Sequence, residues 1–206
     1  MDLPRRFFEW AYEGRAEMVR RMASGEKVPP EQLFLGFTRH CPVFVSNGPA
    51  GLNGAVKGVG FIPRDECLQE TIEAYLAHID LGWRDGYSQA GLELLAKHVW
   101  GPECAARLDF SLLGSLELAK RHTWDNLREN PAVTLCYFQP PGVSFEVRGT
   151  VEIHGEGPYH TLLNAQHDVY HRPSPERWPS RPAYLVRIKE IYDNSASREG
   201  FGARLL

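Results

Sequence analysis

The chain has 206 residues, 43% of them hydrophobic and 24% charged, with a formal net charge of -3. A chain of this length buries a core without disulfide or metal staples, and its composition is that of an ordinary soluble globular protein. The small negative balance excludes a chain-wide footprint for nucleic acid or an anionic membrane, while leaving room for a local basic pocket.

Four cysteines, Cys41, Cys67, Cys104 and Cys136, form no CxxC pair and fit no zinc spacing. They suit a reducing compartment, and Cys136, inside an apolar run, reads as a small hydrophobe. The charged N-terminus lacks the apolar core of a signal peptide. No stretch approaches the roughly 20 apolar residues of a bilayer span. The expectation is a cytoplasmic protein with no membrane or nucleic-acid partner, forming a single domain over residues 1–206.

Residues 5–23 read as a helix, with Phe7, Trp10, Ala11, Met18 and Met22 near the helical period, ended by Ser24-Gly25. A short second helix starts at Pro30, completing an N-terminal helical region over 1–40. A strand follows at 42–46, then a turn at "NGPAG" and a second strand over about 52–62. Lys57 is the one charge in that second strand, and Gly54, Gly58 and Gly60 mark close approach of a backbone or ligand.

Residues 64–106 change character and read as a helical insertion. One helix places Cys67, Ile72, Tyr75, Leu76 and Ile79 near one face, and a second is capped by Asp85 or Ser88. Its aromatics Trp83, Tyr87 and Trp100 suit a planar substrate or an interface, so the block reads as a lid over a site, or as a layer that only packs on the barrel or extends a subunit contact. A strand at "ARLDFSLLGS" and a helix over 116–129 come next. "AVTLCYFQ" and "VSFEVRGTVEIHG" read as strands joined at "PPG", the second alternating Val143, Phe145 and Val147 with Ser144, Glu146 and Arg148. "PYHTLLNAQHDVYH" is a helix, "HRPSPERWPSRP" a surface loop, and "AYLVRIKEIYD" the last strand, with Ala183, Leu185 and Arg187 on one face. About six sequential, hairpin-linked strands with helices outside them predict an α+β fold built on an antiparallel barrel.

Lys120, Arg121, His122 and Thr123 stand together where the 116–129 helix starts. Cations there oppose the helix dipole by some 0.3–1 kcal/mol each, and a bound anion reverses that sign. In the competing reading the helix starts near Ser115, with Glu117 as the acid of its first turn and Lys120-Arg121 as a solvated patch.

From Arg107 to Ile153 the order of features resembles the pyridoxamine 5′-phosphate oxidase-like split β-barrel family of flavin-binding proteins. The carrying residues are the strand "ARLDFSLL", the basic helix start and Asn-Pro of "KRHTWDNLRENP", the apolar "AVTLCYF", and the Val-Arg-Gly of "FEVRGTVEI". "PVFVSN–GPAG–LNGAVKG" is similar to the family's first two strands, with Lys57 in the place of a basic residue near the cofactor. The family's usual Ser-Arg-Lys falls on Arg121, His122 and Thr123; the charge survives in Lys120 and Arg121, and His-Thr resembles a haem-degrading branch of the same fold. The 64–106 block is not part of the common family core.

The resemblance implies an antiparallel split β-barrel and an FMN-dependent oxidoreductase acting on a small organic substrate. It implies a homodimer with each cofactor held between subunits, and deazaflavin is the variant cofactor. Flavin phosphate contacts fall on Lys120, Arg121, His122 and Thr123, with Lys57 and Ser115 as second choices and Arg148 as either a ligand contact or a surface partner of Glu146 or Glu152. The alternatives are a haem-binding or haem-degrading barrel, with His122, His167 or His171 as the iron ligand, and a cofactor-less binding protein of the same fold. No catalytic side chain is assigned. His167 and His171, at i and i+4, share a helix face, but no third ligand completes a metal site in sequence. His78 and His98, in the insertion, are within reach of a substrate.

Overall fold

A computed structural model describes residues 2–206. The N-terminal helix runs as α1 (Arg5–Phe8), a π-turn at Glu9–Glu13, and α2 (Gly14–Ala23). Its buried stripe is Phe7, Trp10, Ala11, Tyr12, Ala16 and Val19, with Met18 and Met22 only half-buried. The aromatic members make this helix the plug of the main core: Phe7 lies 5.3 Å from Phe145, and Tyr12 lies 5.2 Å from Phe110, ring centre to ring centre. Each such ring withdrawn from water stabilises the fold by about 1.5–3 kcal/mol. Helix α3 (Pro30–Thr38) follows, with Pro30 in its first turn as the sequence predicts.

The strands are β1 (Val43–Ser46), β2 (Asn53–Val56), β3 (Val59–Pro63), β4 (Leu108–Leu116), β5 (Ala132–Gln139), β6 (Val143–His154), β7 (Ala183–Asp193) and β8 (Ala203–Arg204). They form one antiparallel sheet in the order β2-β1-β5-β6-β7-β4-β3, with β8 on β7. This is the predicted α+β fold with an antiparallel split barrel, but it has eight strands rather than six.

One strand of the sequence reading is in fact two. The single strand over 52–62 breaks at Lys57–Gly58, because its first half pairs with β1 and its second half with β4. β2 and β3 are therefore the two ends of the sheet path, yet only two residues separate them. The sheet has to curl until its edges meet at Lys57–Gly58, and the split in the barrel lies there. β7 is buried on both faces from Ala183 to Val186: Ala183 and Leu185 share one face, as predicted, and Tyr184 and Val186 are buried on the other. Cys136, expected inside, is exposed on the outer face of β5, two residues from the exposed Phe138.

The Val-Arg-Gly of β6 has a local cause. The β6–β7 register shifts between Arg148 and Gly149, and a side-chain carbon on Gly149 would come within 2.3 Å of the Arg187 carbonyl oxygen. Only glycine lets the two backbones approach so closely at this bulge.

The insertion contributes α4 (Asp65–Asp80), α5 (Tyr87–Leu95) and a π-turn at Ala96–Trp100. Neither Asp85 nor Ser88 caps α5; Gly86 does, at φ 75°, without a side-chain hydrogen bond. α4 buries Leu68, Ile72, Tyr75 and Ile79 in a second core, with Leu162, Leu163 and Ala165 of α7 (Pro158–Asp168) and Ile62, Leu112 and Leu185 of the sheet. The insertion is thus built into the protein's interior. His78 and His98 are buried within this layer, His78 against Tyr87 and His98 against Tyr75. The surface loop after α7 winds one 3-10 segment, Pro175–Ser180. Among the described residues, no helix is long and apolar enough to cross a membrane.

Candidate cofactor site at the start of helix α6

Helix α6 (His122–Glu129) is shorter than the predicted 116–129. Residues between β4 and α6 are held out of the helix by Glu117, whose Oε1 accepts hydrogen bonds from the backbone N–H groups of Ala119 (2.8 Å) and Lys120 (2.7 Å). Lys120 consequently sits at φ 49°, a left-handed conformation that costs a residue with a Cβ of order 1 kcal/mol. The competing reading, a helix starting near Ser115, is therefore excluded. Arg121 is the residue before the helix, and no side chain caps the first-turn N–H groups.

Two asparagines fix α6 in place. Asn126 is buried; its Nδ2 donates to Gly51 O (2.7 Å) and Ser46 Oγ (3.3 Å), and its Oδ1 accepts from Ala50 N (2.8 Å). Asn130 Nδ2 donates to Asn47 O at 2.9 Å. The "NGPAG" turn and α6 thus form one latched unit, in which a side chain on Gly48 would collide with Asn126 Cα at 2.9 Å.

A cavity of about 320 Å³ opens at this helix start, lined by Asn53, Lys57, Glu117, Arg121, His122 and Thr123, among others. Its electrostatics are asymmetric. Glu117 is buried and bonded to Lys57 Nζ (2.8 Å) and Tyr184 Oη (2.8 Å). Burial pushes the Glu117 carboxyl up, but Lys57 and the two backbone donors together hold it below its ordinary range. Lys57 and Glu117 therefore neutralise each other, and Tyr184 is pushed well up by burial and by Glu117. Arg121 is exposed, and among the described residues its guanidinium has no hydrogen-bond or acidic partner. Thr123 is buried, and its Oγ1 accepts from Asn53 Nδ2 at 2.7 Å, which leaves the hydroxyl hydrogen free to donate.

The structure therefore brings Lys57, Arg121, His122 and Thr123 to one cavity. Ser115 is not on its lining: it is buried beside the neighbouring cavity, its hydroxyl donating to Gly58 O at 2.7 Å. Lys120 turns outward over the half-buried Trp124 ring, 5.3 Å from its centre. Arg148 is elsewhere, on the outer face of β6, bonded to Glu146, near Glu190 (3.6 Å) and 4.5 Å above the Tyr192 ring. Asn53, Glu117 and Asn126 were missed by sequence reasoning. The pairing of Lys57 with the first acid after β4 was the available signal for Glu117. Asn126 carries none, because an exposed helix asparagine reads the same.

His167 and His171 do share a face, with ring centres 4.6 Å apart, but His167 Nδ1 is engaged by Asp168 at 2.8 Å. Among the described residues, no group of three His, Cys, Asp or Glu side chains could hold a metal ion.

No family model and no curated protein matches this sequence. Solved structures similar to it include HupZ of Group A Streptococcus, at 13% identity and TM-score 0.47, covering 86% of this chain and 98% of that one. A protein of Clostridium acetobutylicum related to general stress protein 26, of the pyridoxinephosphate oxidase family, aligns at 11% identity and TM-score 0.45, covering 81% and 87%. An F420 reductase aligns at 20% identity and TM-score 0.38, covering 74% and 88%. At these identities and scores none of them assigns a ligand or a reaction to this chain.

Proposed function

We propose that this protein is an FMN-binding oxidoreductase of the split-barrel type, acting on a small organic substrate. One observation carries the reading: the uncapped start of α6 and the unpaired Arg121 face a cavity whose one acid, Glu117, is already neutralised by Lys57. A phosphate supplies the missing anion, accepting from backbone N–H groups, the guanidinium and the Thr123 hydroxyl. Lys57, Glu117 and Tyr184 act as a rigid wall. Bound flavin, or a deazaflavin in its place, supplies the two-electron chemistry, and the protein supplies binding and orientation.

A second copy of the chain completes the assembly in this reading. Val56 pairs with Val43, and Val43 with Cys136, so these side chains share the outer sheet face with Phe138. All four are exposed, Val56 by 68% and Phe138 by 59%. A contiguous apolar face of this kind marks an association surface.

His122 motivates a second reading. It is exposed on the cavity wall and has no side-chain hydrogen bond among the described residues, so it is free to bind a haem iron. The absorbance spectrum of the purified protein separates the two, as a flavin double band against a Soret band. A colourless protein that refuses excess FMN defeats the flavin reading in favour of a cofactor-less binding protein. The sharper test is Arg121→Ala: FMN affinity falls roughly ten- to a hundredfold, the loss of a charged hydrogen bond worth about 1.5–3 kcal/mol, while riboflavin affinity holds. Equal loss of both removes the phosphate role.

A further inference from the structure

A second cavity, of about 360 Å³, shares Gly58, Leu116 and Leu118 with the first. That is enough room for a small organic molecule. Its walls come from five parts of the chain: Arg15 of α2, His40 after α3, Trp100 of the insertion, Gly60 and Gly114 of the sheet, and His167, Tyr170 and His171 of or just after α7. Among the described residues, no carboxylate lines it.

Arg15 stands apart among the described arginines that are shielded from solvent. Arg6, Arg21, Arg107 and Arg181 pair with acids, and Arg20 and Arg39 donate to carbonyl oxygens, whereas the other arginines without a partner are exposed. Arg15 is only partly accessible, yet it has no hydrogen bond and no ion pair with any described residue. Burial lowers its pKa to about 10, against a small opposing effect of Cys41 and Tyr170. A guanidinium drawn out of water without an anion is costly, and its planar fork matches a carboxylate in bidentate fashion.

The charge that would satisfy it is a single negative one. His40 stays neutral, its pKa lowered to about 3 by burial and by the Arg15 charge, with its Nδ1 bonded to Gly36 O. His171 is lowered by burial and by His167. Arg15 is the one lysine or arginine on the lining, and His167 is already engaged by Asp168, so a monoanion matches the cavity charge for charge and a dianion exceeds it.

We infer that this cavity binds a small organic monocarboxylate, its carboxylate on Arg15 and its apolar body between Trp100, Leu95 and Leu163. Placing this ligand as the substrate beside the cofactor rests on the flavin reading above; its selection by Arg15 does not.

The probes are 2-naphthoate, its neutral isostere 2-naphthamide and 2-naphthyl phosphate, titrated by calorimetry into the full-length protein. Naphthoate is expected to bind at least tenfold tighter than naphthamide, and tighter than the phosphate. Arg15→Gln is expected to bind acid and amide alike, while Arg15→Lys keeps part of the preference. Should Arg15→Gln fail to fold, the Arg15 Nε–Hε resonance of the unmodified protein is expected to shift with naphthoate and not with naphthamide. Equal binding of acid and amide, a preference that survives Arg15→Gln, an unmoved Arg15 resonance, or a stronger preference for the phosphate each overturns the inference. Arg121→Ala separates the two sites: it is expected to lose FMN and keep the naphthoate preference. A protein that selects naphthoate through Arg15 but refuses FMN sinks the flavin reading alone.

Discussion

Asp168 and Arg15 are both drawn into the protein, and their surroundings treat them in opposite ways. Asp168 is fully buried and has four hydrogen-bond partners: His167 Nδ1, Ser174 N, Trp178 Nε1 and Arg181 Nη1, at 2.8–2.9 Å. Arg15, like Arg121, has none among the described residues. The Asp168 cluster closes on itself and pins the proline-rich loop to α7. Arg15 and Arg121 face cavities that share a wall, unlike the other unpaired arginines, which do not line these cavities. Charges that the chain itself completes are there for the fold, and charges it leaves incomplete beside concave space are where a ligand has something to add.

The strongest way to break this contrast is at Asp168. Asp168→Ala leaves Arg181 buried and unpaired, which should cost about 3–5 kcal/mol in urea unfolding. Burial pushes this carboxyl up, but its four partners together hold it well below the usual carboxylate range. The stabilisation it gives is therefore complete above about pH 4 and is lost as the pH falls further toward its folded pKa. A loss below 1 kcal/mol for Asp168→Ala would mean that the cluster is no anchor and that the distinction between closed and open charges fails.

Next in size is Asn126→Ala. It removes three hydrogen bonds and leaves the Ala50 N–H without its acceptor, for an expected loss of about 2–3 kcal/mol. FMN affinity should fall with it, because the latch holds the start of α6. Unchanged FMN affinity at reduced stability would separate the latch from the site.

These two residues show where sequence reading stops. Periodicity placed the β5–β6 hairpin, α7 and the N-terminal helix, because each follows from local spacing of apolar residues and a turn signal. Asn130-Pro131 marked the end of α6 for the same reason. The break at Lys57–Gly58 was not readable, since it depends on which strands each half meets. The start of α6 was legible only in part: the basic cluster at 120–123 pointed to it, while the helical pattern ran on from 116, and the deciding contact is Glu117 accepting from the backbone N–H groups of Ala119 and Lys120. Arg15 did leave a trace. It follows Phe7 and Ala11 at intervals of four, so it occupies the buried stripe of the N-terminal helix, where a lone cation is out of place.

A pH titration sharpens the contrast from the other side. His40, His78, His98 and His171 all have pKa values lowered chiefly by burial. Each is a base whose folded pKa lies below its ordinary value, so its contribution is complete above about pH 6.5 and lost as the pH falls toward the folded value. The melting temperature should fall from pH 7 to pH 5, and His40→Asn should flatten that slope. Naphthoate should flatten it too, by neutralising the Arg15 charge that helps to depress His40. A slope indifferent to both would place His40 outside the electrostatics of the Arg15 cavity.

The smallest effect is expected at Arg148, the member of the predicted site that the fold sends to the other face. It is half exposed, bonded to Glu146 two residues away and stacked over Tyr192. Exposed pairs of this kind are worth little once solvent screening and side-chain ordering are counted, so Arg148→Ala should change stability by no more than about 0.5–1 kcal/mol. Its effect on FMN is the informative part. Within one subunit Arg148 is remote from the α6 cavity, so in a monomer its loss leaves FMN affinity untouched. It also borders a surface concavity with Ser46, Leu52 and Asn130, near the exposed apolar face of β1 and β5. If a second copy packs on that face so that its cavity meets this concavity, loss of Arg148 weakens FMN in the dimer. Measuring FMN affinity of Arg148→Ala across the concentration range in which the protein associates therefore decides whether the site is completed by one chain or by two.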